Sequence, residues 1–116
     1  MRLELRTPGV EVGERFEELL DRKLRVALSR FTRVVRQVFV TVSDENGPKG
    51  GPDKTCRLRL VTDIGPAIVI ERTDTTAERA VDAAVDSAAQ SVARQVSRRR
   101  VPRRRLRTLT ELARSR

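Results

Sequence analysis

One apolar stripe constrains this chain more than any other feature. Phe16, Leu19, Leu20, Leu24, Ala27, Leu28 and Phe31 recur at steps of three and four residues, the spacing of one face of an α-helix. Such a stripe needs an apolar surface to cover it. The chain supplies candidates in short segments whose apolar residues recur every second position, the period of a strand with one buried face.

Leu3 and Leu5 alternate with Arg2, Glu4 and Arg6, which predicts a strand over 1–6, broken by Thr7-Pro8-Gly9. The first helix is expected to begin near Gly13 or Glu14. A second strand is predicted over 37–43, with Val38, Val40 and Val42 on one side and Phe39 and Thr41 on the other. Asp44 to Lys54 (DENGPKGGPDK) is rich in Gly, Pro and charge and is expected to form a mobile loop. Cys56, Leu58 and Leu60 alternate with Arg57 and Arg59 in a third strand. The turn at 62–66 leads to a fourth strand over 67–72, paired with the third as a hairpin. Thr75-Thr76-Ala77-Glu78 reads as a capping box, a hydroxyl three residues before a glutamate.

The helix it opens carries Val81, Ala84, Val85, Ala88, Val92 and Val96 on one face. Small residues there let a helix lie close against a sheet. It is expected to run to about Arg100, with Pro102 as its end. Leu106, Leu109 and Leu112 are too sparse for a defined element; they suit a short helical turn or a segment that orders on binding. The order β-α-β-β-β-α predicts an α+β fold, a four-stranded, largely antiparallel sheet carrying two helices on one face, with Arg and Thr side chains on the other. The division expected is one domain over 1–101 and a flexible arginine-rich tail over 102–116, dispensable for folding.

The 116 residues carry a net charge of +9, and its placement is uneven. Residues 1–93 hold 15 basic and 15 acidic side chains, whereas 94–116 hold ten arginines against Glu111 alone. The excess therefore sits at the C-terminus, the usual footprint of a polyanion partner. A solvated tail in an arginine-biased composition, with three lysines in all, explains arginine over lysine but not the clustering. On the first helix Glu11, Glu14, Glu17, Glu18 and Asp21 come early, and Arg22, Lys23, Arg25, Arg30, Arg33 and Arg36 come late. That order complements the helix dipole, yet six cations exceed what the dipole requires.

Catalysis finds little to work with. The chain has no histidine and one cysteine, so acid–base chemistry near neutral pH lacks its commonest group. A disulfide within the chain is impossible, and a Cys/His metal site lacks ligands. Cys56 alternates in phase with Leu58 and Leu60 and reads as a small buried apolar residue rather than a nucleophile. Gly47, Gly50 and Gly51 sit in no strand-to-helix turn and make no phosphate loop. Asp44, Glu45 and Asp53 lack the spacing of a calcium loop. No enzyme, cofactor, metal or small-molecule substrate is expected. A free thiol, no signal-like N-terminus and no apolar run of membrane length suggest the cytoplasm.

Binding is the class the residues favour. Arginine donates two parallel hydrogen bonds to phosphate. With three aromatics (Phe16, Phe31, Phe39) there is no row of rings for stacking bases, so basic helix ends suit backbone and shape recognition of folded RNA. The candidate contacts are Arg22, Lys23 and Arg25 on the first helix. Arg94, Arg98, Arg99 and Arg100 at the end of the second join them, with Arg103, Arg104, Arg105 and Arg107 in the tail. The alternatives are a general nucleic-acid-binding or chromosomal protein that uses the tail on DNA, and a redox sensor built on Cys56.

Val10-Glu11-Val12, Phe16, Leu19, the Lys23-Leu24 pair and Phe31 resemble the first helix of the ribosome hibernation-promoting factors and ribosome-associated inhibitors. Ala80-Val81-Asp82 or Ala84-Val85-Asp86, with the later Ala93-Arg94-Gln95-Val96, resembles that family's "A-I-D … L-E-R-Q-L" helix. The likeness covers roughly residues 1–100. It implies a double-stranded-RNA-binding-domain-like fold that docks on small-subunit ribosomal RNA between head and body. There it would block the path of messenger and transfer RNA in stressed or stationary bacterial cells. It also implies RNA contacts from Arg22, Lys23 and Arg25. The second helix departs from the family pattern: positions typically lysine fall on Ser87 and Gln90, or on Ser91 and Ser97, and the basic character moves to Arg94 and Arg98 through Arg100. The C-terminal domain by which longer members pair ribosomes is not expected in a chain of this length.

Overall fold

A computed structural model describes the backbone of residues 1–7, 13–44 and 54–114, and side chains as far as residue 98. It contains β1 (Arg2–Arg6), α1 (Glu14–Ala27), a 3-10 turn (Ser29–Phe31), β2 (Val35–Asp44), β3 (Lys54–Thr62), β4 (Ile68–Asp74) and α2 (Ala77–Arg114). This is the β-α-β-β-β-α order read from the hydrophobic periods. The strands form one sheet in the order β1-β2-β3-β4. β1 and β2 are parallel, which demands a crossover that α1 supplies. β2–β3 and β3–β4 are antiparallel.

Register aligns the apolar residues in rows across the sheet. Leu3, Val38, Leu60 and Ile68 form one row; Leu5, Val40, Leu58 and Ile70 form the next; Val42, Cys56 and Arg72 form a third. Both helices cover these rows. Leu20, Leu24 and Leu28 come from the α1 side, and Ala80, Val81, Ala84, Val85, Ala88 and Val92 from α2; all are buried. They form a single core with the strand residues.

The element ends differ from the expected ones for local reasons. β2 begins at Val35 because the ladder shifts register between Val35 and Gln37. Arg36 is the extra residue of this bulge, and its Nε donates to Asp63 Oδ2 at 2.6 Å. α1 stops at Ala27, although the apolar stripe runs on. The Phe31 amide donates to the Leu28 carbonyl, so the last turn tightens into a 3-10 form. Residues 45–53, the greater part of the expected mobile loop, lie outside the described residues, as does Val10-Glu11-Val12. At the loop's base Lys54 Nζ and Asp44 Oδ2 are 2.5 Å apart.

Two expectations for α2 are corrected. Thr76, not Thr75, caps the helix: the Arg79 amide donates to Thr76 Oγ1 at 3.2 Å, while the Thr75 hydroxyl turns to Asp74 Oδ1. The third helical position is then Arg79, so no reciprocal glutamate bond forms and Glu78 contributes only its charge at the helix N-terminus. Nor does Pro102 end the helix, which continues to Arg114. A proline removes one backbone hydrogen bond and crowds the preceding turn, but the Arg, Leu, Ala and Glu residues after it are good helix formers. At 38 residues the helix is about 57 Å long, and the molecule measures 68 × 25 × 17 Å along its principal axes.

Candidate nucleic-acid interface

The two helices lie side by side and run in the same direction. Leu19 and Arg22 of α1 share a concavity with Glu78 near the start of α2, and Lys23 pairs with Asp82 one turn further along both. Parallel helices bring like ends together. Glu14 and Glu17 lie in the first turn of α1 and Glu78 in the first turn of α2, so the acids collect at one end of the domain.

Arg30 and Arg33 after α1, and Arg94 and Arg98 of α2, lie toward the other end, where the chain is tied in place. Gln95 of α2 accepts from the Thr62 hydroxyl at 2.7 Å. Its Nε2 donates to the Pro66 carbonyl at 2.9 Å. A β-carbon on Gly65 would come within 2.6 Å of that same nitrogen, so a larger residue there would push Gln95 out of these bonds. The Asp63 amide in the turn donates to the Val34 carbonyl at 3.0 Å. The segment after α1, the β3–β4 turn and the end of the sheet-packed part of α2 therefore converge.

The candidate residues divide by what holds them. Lys23, half-buried, is committed to Asp82 across the helix pair. Arg25 Nε lies 3.0 Å from both carboxylate oxygens of Asp21, one turn back. Arg22, Arg94 and Arg98 are exposed and have no ion-pair partner among the described residues. Arg99, Arg100, Arg103, Arg104, Arg105 and Arg107 lie on the backbone of α2, with side chains outside the described residues. Of the three α1 candidates one is open, and α2 offers Arg94 and Arg98.

Three further cations stand near these helices. Arg30 and Arg33 are exposed in the segment joining α1 to β2; their place in the run from Arg22 to Arg36 was the available signal. Arg72 is the second case. It stands in the Val42–Cys56 row, on the helix side of the edge strand, and its Nη2 donates to Ser87 Oγ at 3.0 Å. A cation from β4 thus stands beside α2, and only strand register reveals that.

No group of His, Cys, Asp and Glu among the described residues could hold a metal ion. Burial pushes the Cys56 thiol up to about 12, so it stays protonated at neutral pH, as its place among Leu58 and Leu60 implies. No helix among the described residues is long and apolar enough to cross a membrane.

Residues 3–100 match the sequence model of the family described as Sigma 54 modulation protein / S30EA ribosomal protein. No relative among curated proteins matches. Two solved structures share the fold. One is a ribosomal subunit interface protein from Coxiella burnetii, with TM-score 0.69 and 13% identity over 84% of this chain and 99% of that one. The other is the Protein Y N-terminal domain from Thermus thermophilus, with TM-score 0.66 and 19% identity over 81% and 98%. The resemblance read in the sequence is borne out.

Proposed function

Because this chain belongs to the Sigma 54 modulation protein / S30EA ribosomal protein family, a family of ribosome-associated factors, we propose that it docks on small-subunit ribosomal RNA in the cytosol and blocks the messenger and transfer RNA path. The convergence of Arg30, Arg33, Arg94 and Arg98 at one end of a parallel helix pair, with Arg22 and Arg72 further back along the helices, supports this most directly. Arg22, Arg30, Arg33, Arg72, Arg94 and Arg98 stand on helices and turns fixed by a shared core, so their spacing is preset before RNA arrives. The backbone that carries them needs no further ordering, each arginine side chain gives up about 0.5–1.5 kcal/mol of rotamer freedom on binding, and each neutralised phosphate releases counterions. Arg99, Arg100 and Arg103 through Arg105 extend the same charge along α2, and Lys23 and Arg25 join once their intramolecular partners are exchanged for phosphate. The action is steric, with no bond made or broken.

Co-sedimentation with ribosomes in sucrose gradients at low and high salt tests this. Migration with the small subunit and with whole ribosomes is expected at low salt and loss of it at high salt. Arg22→Gln combined with Arg94→Gln should weaken binding and reduce the salt slope by about one per phosphate contact removed. A chain truncated after Arg100 should remain folded and retain part of the affinity. If the protein stays at the top of the gradient at both salts, or if the truncated chain loses all binding while the double variant loses none, ribosome docking by the helix pair is wrong.

A further inference from the structure

The open face of the sheet stands apart from the basic helix end, and it is not bland. Glu4, Phe39, Arg59 and Val69 form one row across all four strands, and Arg6, Thr41, Arg57 and Glu71 form the next. Phe39 lies on the central strand β2 between the buried Val38 and Val40, so its ring turns away from the helices, and it takes no part in the core. The Arg59 guanidinium carbon sits 5.7 Å from the ring centroid, within cation–π range. A concavity of about 280 Å³ opens here, lined by Glu4, Arg6, Phe39, Arg57 and Arg59 among others. Val69, at the far end of the Phe39 row, is 50% exposed.

Sheet stability accounts for part of this. Cross-strand aromatic and charged pairs stabilise a sheet modestly, and the Arg59–Phe39 contact is one. It accounts for Arg57 opposite Glu71 as well, but not for Arg6 in the same row, nor for a half-buried ring on the open side of the central strand with three arginines lining the concavity around it. An aromatic at the centre of a sheet, flanked by arginines, is the arrangement by which proteins stack an unpaired base and hold its phosphates. We propose that this face is a second RNA-binding surface, selective for an unpaired strand: one base stacks on the Phe39–Arg59 pair, and the flanking phosphates lie on Arg6 and Arg57. Glu4, beside Phe39, accepts a hydrogen bond from an exocyclic amine, as carboxylates do from cytosine, so a base carrying one is preferred. An acidic peptide would meet the same arginines, but the ring would be left without a role. The surface acts independently of ribosome docking by the helices.

The test is fluorescence anisotropy of the full chain with labelled oligocytidine and oligouridine octamers and with an RNA hairpin duplex, alongside an NMR titration of the wild type. Oligocytidine is expected to bind more tightly than oligouridine, with amide shifts centred on Phe39, Arg57 and Arg59. Phe39→Leu keeps the apolar bulk of the strand and removes the stacking ring. It should weaken octamer binding roughly tenfold, as should Arg57→Gln to a smaller degree, while hairpin and ribosome binding stay unchanged. Arg22→Gln should do the reverse. Octamer affinity unchanged in Phe39→Leu, or wild-type shifts confined to the helices, would overturn the proposal. So would tighter binding of an acidic peptide than of either octamer.

Discussion

α1 and α2 cover the same sheet with different materials. α2 presents alanine and valine, and its backbone lies close on β3 and β4; α1 presents leucines and stands further from the strands. A small side chain brings two backbones together and leaves little room for repacking. A leucine bridges a wider gap with more atoms, each contributing weak dispersion contacts. The close helix is thereby locked in position and orientation, with Gln95 bonded to Thr62 and Pro66 as its clamp. The distant helix depends on a few large side chains. Surface charge divides in parallel: two of the three candidate cations on α1 are occupied by carboxylates, whereas Arg94 and Arg98 of α2 have no ion-pair partner among the described residues.

If α1 is held mainly by its leucines, Leu24→Ala should be the most damaging single change. Leu24 is fully buried, and such truncations cost about 2–5 kcal/mol, a large share of the stability of a small domain. Urea unfolding followed by circular dichroism reads this directly. A loss below about 1 kcal/mol would mean that α1 moves inward to fill the space, and the contrast between the helices would fail.

The opposite change sharpens the comparison from the other side. Ala84→Leu inserts bulk where α2 and the sheet already touch, and overpacking of this kind costs about 1–3 kcal/mol. The same unfolding experiment should show a smaller loss than Leu24→Ala, with the unfolding slope retained. If Ala84→Leu is neutral, α2 is not tightly seated and the Gln95 clamp does not fix its position.

This division was partly legible in the sequence. Periods of two and then three to four, repeated in order, fixed the element types, and the alanine-rich face of α2 announced a close approach. Element ends were less legible, because they depend on hydrogen bonds that no period encodes. The bulge at Arg36, the cap at Thr76 and the continuation through Pro102 are all of this kind. The site was legible as a set of charges and not as a surface. Arg22, Arg94 and Arg98 were marked by clustering, but the pairing of Lys23 with Asp82 joins residues 59 positions apart. The placement of Arg72 beside Ser87 follows from strand register. Phe39 was visible as an outward residue in an alternating strand; that Arg59 and Arg57 stand beside it needed the β2–β3 pairing.

The smallest expected effect is the most discriminating for function. Asp82 holds Lys23 in an ion pair whose side chains are 28% and 55% exposed, for Lys23 and Asp82 respectively. Such a pair is worth at most about 1 kcal/mol of stability, so Asp82→Asn should leave the unfolding midpoint almost unchanged. It removes a negative charge from the helix face and frees an ammonium group. Affinity for ribosomes should therefore rise a few-fold at low salt, and the gain should fade as salt screens the added charge. Titrated co-sedimentation at two salt concentrations measures it. A fall in affinity with stability intact would mean that the Lys23–Asp82 pair itself, rather than the cation it restrains, orients α1 for docking. Its carboxylate would then be part of the interface, and α1 would act through its position more than through its charge.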